Sequence, residues 1–323
     1  MKKLLTISVL ALACLLLYSA AAPAGGHWAS GDIRALEQKG FINANDYSNP
    51  DDNATRAEFI NLFLSVVISP DAANIKGGLF NSSEPITRAD AIYTIVTALK
   101  LDGEAEGFRF SDVSPASTYI YAAYDAGLIK GYPGGSFNRS NHLTKAECLT
   151  IINRISDKIG EDENMNLETE RKFLISADNV PYDLSRAQRY DITQTYINYS
   201  PEARVRNITN HGFWFAIKMP KDAIGLSRLE LEFAITAEEY YHLYDNMAEH
   251  TLQKTRYQFM QGEHSVSVDI YDGDLKGLAV SEIEFANVEA ANQFVPYDWY
   301  IEDITSDSRY KNANLARYGM PED

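Results

Sequence analysis

Between residues 168 and 284 charged side chains recur two positions apart, and the positions between them are apolar or neutral. Side chains at i and i+2 lie on one face of a strand, so these charges share faces. The instances are Glu168, Glu170 and Lys172; Arg204 and Arg206; Lys218 closing Phe213-Trp214-Phe215-Ala216-Ile217; Arg228, Glu230 and Glu232; Lys254 and Arg256; Asp269; and Glu282 with Glu284, seven acidic and seven basic in all. One geometry is an ordinary antiparallel sheet with each charged face turned to water. The other is a closed antiparallel barrel lined by the charges, with helices and an apolar shell outside. Few of the Thr, Ser and Gln residues that dilute a solvated face accompany the charges, which favours the barrel. Carboxylates crowded in a lumen take up protons unless cations sit among them. The lining therefore suits a compact polyanion such as a linear triphosphate, bridged to carboxylates by Mg2+ or Mn2+ and held by guanidinium forks.

The preceding half has helical periods. Thr55-Arg56-Ala57-Glu58, Thr87-Arg88-Ala89-Asp90 and Thr144-Lys145-Ala146-Glu147 repeat one phrase, and each opens an apolar-periodic helix. The phrase is a capping box, in which the Thr hydroxyl and the acidic side chain each satisfy a backbone N–H of the first turn. Three copies imply an internal repeat. Phe110-Ser111-Asp112-Val113 followed by Gly127-Leu128-Ile129-Lys130-Gly131-Tyr132-Pro133-Gly134-Gly135-Ser136-Phe137 resembles an S-layer homology repeat. His27-Trp28-Ala29 through Gly40-Phe41-Ile42 resembles the start of another, and a worn middle copy keeps Gly77-Gly78-Leu79-Phe80 and its capping box. The resemblance implies an all-α unit that grips a secondary cell-wall polymer, with Arg56, Arg88 and Lys145 among its contacts.

The first residues address compartment. Lys2 and Lys3 precede an apolar run from Leu4 to Leu17 and then small residues, which reads as a signal peptide over residues 1–24 and a secreted, wall-associated protein. The run is shorter than the roughly 20 residues of a spanning helix, so no membrane span is expected after cleavage. Cys14 lies in a poor lipobox, and Cys148 alone follows it, which leaves no intramolecular disulfide. A net charge of -16 argues against nucleic acid as a partner. The expected organisation is the repeats over 25–156, a polar linker over 157–166 and a second domain over 167–323.

That second domain carries a resemblance of its own. Glu168-Thr169-Glu170-Arg171-Lys172 is similar to the ExExK opening of the CYTH family of triphosphate tunnel metalloenzymes, and Arg204-Val205-Arg206, Leu229-Glu230-Leu231-Glu232, Lys254-Thr255-Arg256, Glu282-Ile283-Glu284 and Arg309-Tyr310-Lys311-Asn312 continue it in order. The resemblance implies an α+β domain built on a closed antiparallel β-barrel and a metal-dependent triphosphatase acting on inorganic triphosphate. It implies Glu168, Glu170, Asp269, Glu282 and Glu284 as ligands of Mg2+ or Mn2+. Arg204, Arg206, Lys218, Arg228, Glu230, Glu232, Lys254, Arg256 and Arg309 would form the substrate site, and Lys172 with Tyr196 would activate water. An adenylyl cyclase, a thiamine triphosphatase and a non-catalytic polyanion-binding module remain the alternatives.

Overall fold

The computed structural model describes residues 26–68, 79–103, 110–161, 167–220 and 227–322. The expected signal peptide and Cys14 lie outside them.

The N-terminal half contains α1 (Ser30–Gln38), α2 (Arg56–Ile68), α3 (Arg88–Ala98), α4 (Thr118–Asp125) and α5 (Lys145–Glu161). Two capping boxes are complete. The Glu58 and Glu147 backbone N–H groups donate to Thr55 and Thr144 Oγ1, and the two carboxylates accept from the Thr55 and Thr144 N–H groups at 2.8 and 3.0 Å. At the middle copy Asp90 is one methylene shorter; its N–H donates to Thr87 Oγ1, and its carboxylate accepts from the Thr87 hydroxyl. Isolated β-bridges between Asn53 and Thr144, Thr55 and Pro85, and Thr87 and His142 tie the three phrases together. The apolar periods meet in one core that includes Ile33, Phe59, Phe63, Ile92, Ile95, Leu149 and Ile152. The linker expected from residue 157 begins later, because α5 continues to Glu161. Ile159 keeps the apolar spacing of Ile155 and packs on the core, while Asp157 accepts from Lys39 Nζ at 2.6 Å.

The C-terminal half contains β1 (Leu167–Ile175), β2 (Gln188–Tyr199), β3 (Glu202–Ile208), β4 (Gly212–Pro220), β5 (Ser227–Ile235), α6 (Ala237–Met247), β6 (His250–Gln261), β7 (His264–Tyr271), β8 (Ala279–Phe285), α7 (Val288–Gln293), β9 (Tyr300–Asp303) and α8 (Asn312–Tyr318). The strands form a nine-stranded antiparallel sheet in the order β5-β4-β3-β2-β6-β7-β8-β1-β9, and β1 also pairs with β5. That last pairing is short: Leu167 with Leu229, Glu168 with Arg228 and Thr169 with Ser227. The closed barrel expected from the sequence is therefore not what forms: the strands make an antiparallel sheet that does not close into a barrel. The edge of β1 that reaches β5 over 167–169 is taken by β9 over 173–175, so β5, at one end of the order, touches β1, the last strand but one, only along a short seam.

The alternation read from the sequence sorts the two faces. Phe215, Ile217, Leu231 and Phe233 are buried in the same cluster as Phe59, Phe63 and Phe80 of the helical half. The charges between them turn to the opposite side.

Candidate functional site: a cavity of paired charges

The inward faces of the strands surround one polar cavity, lined by Glu168, Glu170, Lys172, Arg204, Arg206, Lys218, Glu230, Glu232, Lys254, Arg256, Glu282 and Glu284, together with Gln194, Glu202, Lys311 and Asn312. The charges are cross-linked in pairs. Lys218 Nζ lies 2.6 Å from Glu168 Oε2 and 3.1 Å from Glu230 Oε1, and Arg204 Nη2 lies 3.2 Å from Glu230 Oε1. Arg206 pairs with Glu232, and Lys172 Nζ is 2.7 Å from Glu282 Oε1. Arg256 reaches both Asp269, at 2.7 Å, and Glu282.

These pairs set the ionisation states. Burial alone would raise the Glu282 pKa, but the charges of Lys172, Arg256 and Lys254 outweigh it and hold the carboxyl well below the usual range. Glu230 and Glu232 are lowered against the same burial cost, Glu230 by Lys218 and Arg204, Glu232 by Arg206 and Arg204. Burial lowers the Lys254 ammonium to about 8, with Arg256 acting in the same direction and Asp269, 2.5 Å from Nζ, opposing it. Glu284 goes the other way. Partial desolvation, then the charges of Glu168, Glu170 and Glu230, raise its pKa, although its side chain is open to solvent on one side.

Two atoms of this wall have no acceptor. Arg204 Nε and Arg206 Nε are buried without a hydrogen-bond partner. Such orphaned donors are rare and costly, and a ligand rich in oxygen atoms would satisfy them. Carboxylate oxygens are suitable donors for a hard divalent cation, and Glu170 stands directly opposite Glu284 in the β1–β8 register. Among the described residues no group of three acidic, His or Cys side chains forms a ready metal cage. Interleaved cations hold the carboxylates apart.

Some expected residues stand elsewhere. Asp269 is wholly buried, clamped by Lys254 and Arg256 behind the wall. Tyr196 is also wholly buried and is absent from the lining; its hydroxyl accepts from Gln194 Nε2 at 2.6 Å, and burial pushes its pKa far up, so it stays protonated. Arg309 is exposed and pairs with Asp307 at 2.7 Å. Arg228 is placed opposite Glu168 by its backbone, and its side chain lies outside the described residues. Four further residues, Gln194, Glu202, Lys311 and Asn312, complete the lining. Glu202 sits two positions before Arg204 and Gln194 two before Tyr196, so alternation alone would have found them. Lys311 and Asn312 come from the turn into α8, where no strand period exists to reveal them; Asn312 Oδ1 accepts from the Tyr271 hydroxyl. Among the described residues Lys311 makes no ion pair.

The three cations of the capping phrases are also paired. Arg88 Nη1 lies 2.9 Å from Glu147 Oε1, its Nε donates to the Phe137 carbonyl, and its guanidinium stacks 4.6 Å from the Tyr132 ring. Lys145 Nζ lies 3.0 Å from Glu58 Oε1. Arg56 Nε lies 2.7 Å from Glu239 Oε1, in the sheet domain. Each cation thus reaches the acidic cap residue of another helix. Arg88 and Tyr132 also border a cleft with Lys130, Arg154 and Trp28, a residue that is 61% exposed.

Residues 24–60 and 109–148 match the S-layer homology domain family. The C-terminal part is 28% identical over 150 residues to an inorganic triphosphatase of Nitrosomonas europaea, covering 46% of this chain and 96% of that protein. It is 29% identical over 154 residues to an inorganic triphosphatase of Acetivibrio thermocellus, covering 47% of this chain and 95% of that protein. A cellulosome-anchoring protein of Acetivibrio thermocellus is 27% identical over 112 residues, which is 32% of this chain and 25% of that protein. Among the described residues no helix is long and apolar enough to cross a membrane. The chain thus carries S-layer homology matches in its N-terminal half, and its C-terminal half is similar to inorganic triphosphatases, relatives of the CYTH type.

Proposed function

We propose that the chain is a secreted, wall-associated hydrolase that cleaves inorganic triphosphate to pyrophosphate and orthophosphate with a divalent cation, Mg2+ or Mn2+. The observation that carries this reading is the pair of buried, partnerless Nε donors of Arg204 and Arg206 in a wall of paired charges. A triphosphate brings enough oxygen atoms to satisfy them, and the paired sheet edges would act as a tunnel around it. In this reading Arg204, Arg206, Lys218, Lys254 and Arg256 hold phosphate oxygens. Glu170 and Glu284, with Glu168 and Glu282 beside them, would hold the cation, and substrate oxygens would complete its coordination, as is usual for Mg2+. When bound, the cation supplies neutralisation of the charge on the transferring phosphoryl group. Asp269 acts by fixing Lys254 and Arg256. Phosphoryl transfer then needs positioning and charge stabilisation above all: water adds to a terminal phosphorus, the bridging P–O bond breaks, and pyrophosphate leaves. In this reading Lys172, on the wall, would orient that water, and Tyr196 would support it through Gln194 and Arg204 from behind.

The helical repeats would hold the enzyme on an acidic secondary wall polymer. The cleft of Trp28, Lys130, Arg88 and Arg154 offers an aromatic platform beside cations for such a chain. Arg56 is committed elsewhere. The test is orthophosphate release from inorganic triphosphate, thiamine triphosphate and ATP, with Mg2+ and with EDTA. Release from the first alone, in Mg2+ alone, is expected. Cyclic AMP from ATP would make the domain a cyclase, and tight binding without release would make it a polyanion-binding module.

A further inference from the structure

We propose that the helical N-terminal unit braces β5, and through β5 the cavity wall and the seam with β1. β5 has two unlike faces. Glu230 and Glu232 line the cavity, while Leu231 and Phe233 are fully buried in the cluster shared with the helical unit. Its edges are equally unlike. β4 pairs with it from Phe213–Ile235 to Pro220–Arg228, whereas β1 meets it over three residue pairs.

A strand held by one long ladder and one short one depends on what covers its outer face. The sheet domain's own helices pack elsewhere: α6 against β2, β3 and β4, α7 against β1 and β8, and α8 against β6 and β2. The helix that runs along β5 is α3, from the repeats. Phe63 of α2 meets Phe233 edge-on at 6.5 Å, and Phe80 lies 5.4 Å from Phe215 and 6.1 Å from Phe233. Phe80 is itself held in place. Asn61 Nδ2 donates to its carbonyl at 2.9 Å, and Asn61 Oδ1 accepts from its N–H at 3.2 Å. The Arg56–Glu239 pair pins α6 beside this contact. A unit whose sequence reads as an anchor is thus also part of the cavity's outer wall.

The consequence for β5 stands on packing alone, and the consequence for ligand rests on the triphosphate reading above. The test is amide hydrogen exchange on the ligand-free full chain, comparing wild type, Phe63→Ala, Phe80→Ala and Phe63→Leu. In the alanine variants the amides of 227–235 should exchange about tenfold faster or more while those of 250–271 keep their wild-type rates, and Phe63→Leu should stay near wild type. The same proteins titrated with inorganic triphosphate and Mg2+ should lose about fivefold or more in affinity in the alanine variants. Should an alanine variant not fold, Phe63→Val or Phe80→Val replaces it and is read the same way. Equal acceleration in every strand, or none at β5, overturns the brace. A loosened β5 in a protein whose wild type binds no triphosphate sinks the triphosphate reading and leaves the brace standing.

Discussion

Arg56 Nε donates to Glu239 Oε1 at 2.7 Å across 183 positions of sequence, and Glu239 has a second task. Its other oxygen accepts from the Thr236 N–H at 2.8 Å, closing a third complete capping box at the start of α6. One carboxylate, 1% exposed, therefore caps a helix of one domain and neutralises a cation of the other. Removing it leaves a guanidinium that is 14% exposed without its partner. Breaking a buried pair from one side, and losing a cap with it, costs about 3–5 kcal/mol. Glu239→Ala should lower the unfolding free energy of the full chain by that amount in urea. The Lys145–Glu58 pair is more exposed, at 20% and 37%, so Lys145→Met should cost about 1 kcal/mol or less. Equal costs would mean that the interdomain pair carries no special weight.

Metal dependence gives the second prediction. Glu282 and Glu284 share a strand face and the cavity, so Glu282→Gln or Glu284→Gln should lower triphosphate turnover at least about a hundredfold. EDTA should do the same to the wild type. Undiminished phosphate release in EDTA would sink the metal reading.

Proton release separates the two carboxylates. Glu284 has a raised pKa in the folded chain, so its proton stabilises the fold at low pH, and that contribution is lost as pH rises through the folded value. Glu282 has a lowered pKa; its contribution is present above the unfolded value and is lost as pH falls through the folded one. Divalent cation binding near Glu284 must displace the proton that this carboxyl keeps longest. The apparent affinity for Mg2+, read by calorimetry in buffers of different ionisation enthalpy, should fall as pH drops and be accompanied by proton release. Glu284→Gln should abolish the release. A release that survives the substitution would place the cation on other carboxylates.

Much of this site is legible in the sequence because strand alternation is a strict rule. Twelve of the fourteen charges picked out by i and i+2 spacing line the cavity, among them Lys172 and its partner Glu282 directly across the β1–β8 register. Of the remaining two, Asp269 lies behind the wall, clamped by the cations Lys254 and Arg256, and the side chain of Arg228 lies outside the described residues. Glu282 and Lys172 were readable one strand at a time; their pairing needed the register. The partner of Arg56 is hidden from the sequence for a different reason. A capping phrase exposes its second residue to solvent in an isolated helix, and nothing local to Thr55-Arg56-Ala57-Glu58 reveals that Glu239 arrives from another domain. The end of α5 is hard to read because polar residues on its wet face resemble a break in the helix.

Lys172 and Tyr196 give the sharpest test of how water is activated. Lys172 lines the cavity, 2.7 Å from Glu282, whereas Tyr196 is wholly buried among Leu252, Tyr271 and Leu315 with its hydroxyl bonded to Gln194. A phenol whose pKa is pushed far up does not serve as a base near neutral pH. Its effect should pass through Gln194 and Arg204, which line the cavity. Tyr196→Phe should therefore weaken triphosphate affinity by about three- to tenfold and change kcat by less, the pattern of a lost ground-state contact. Lys172→Ala removes a cation from the wall and strands Glu282 with one partner fewer, so it should lower kcat and affinity together, by about a hundredfold or more in kcat/KM. Both constants from steady-state phosphate release, with triphosphate affinity from calorimetry, decide it. If Tyr196→Phe cuts kcat about a hundredfold at unchanged affinity, the hydroxyl reaches the water in the working enzyme, and the supporting role assigned to it is wrong.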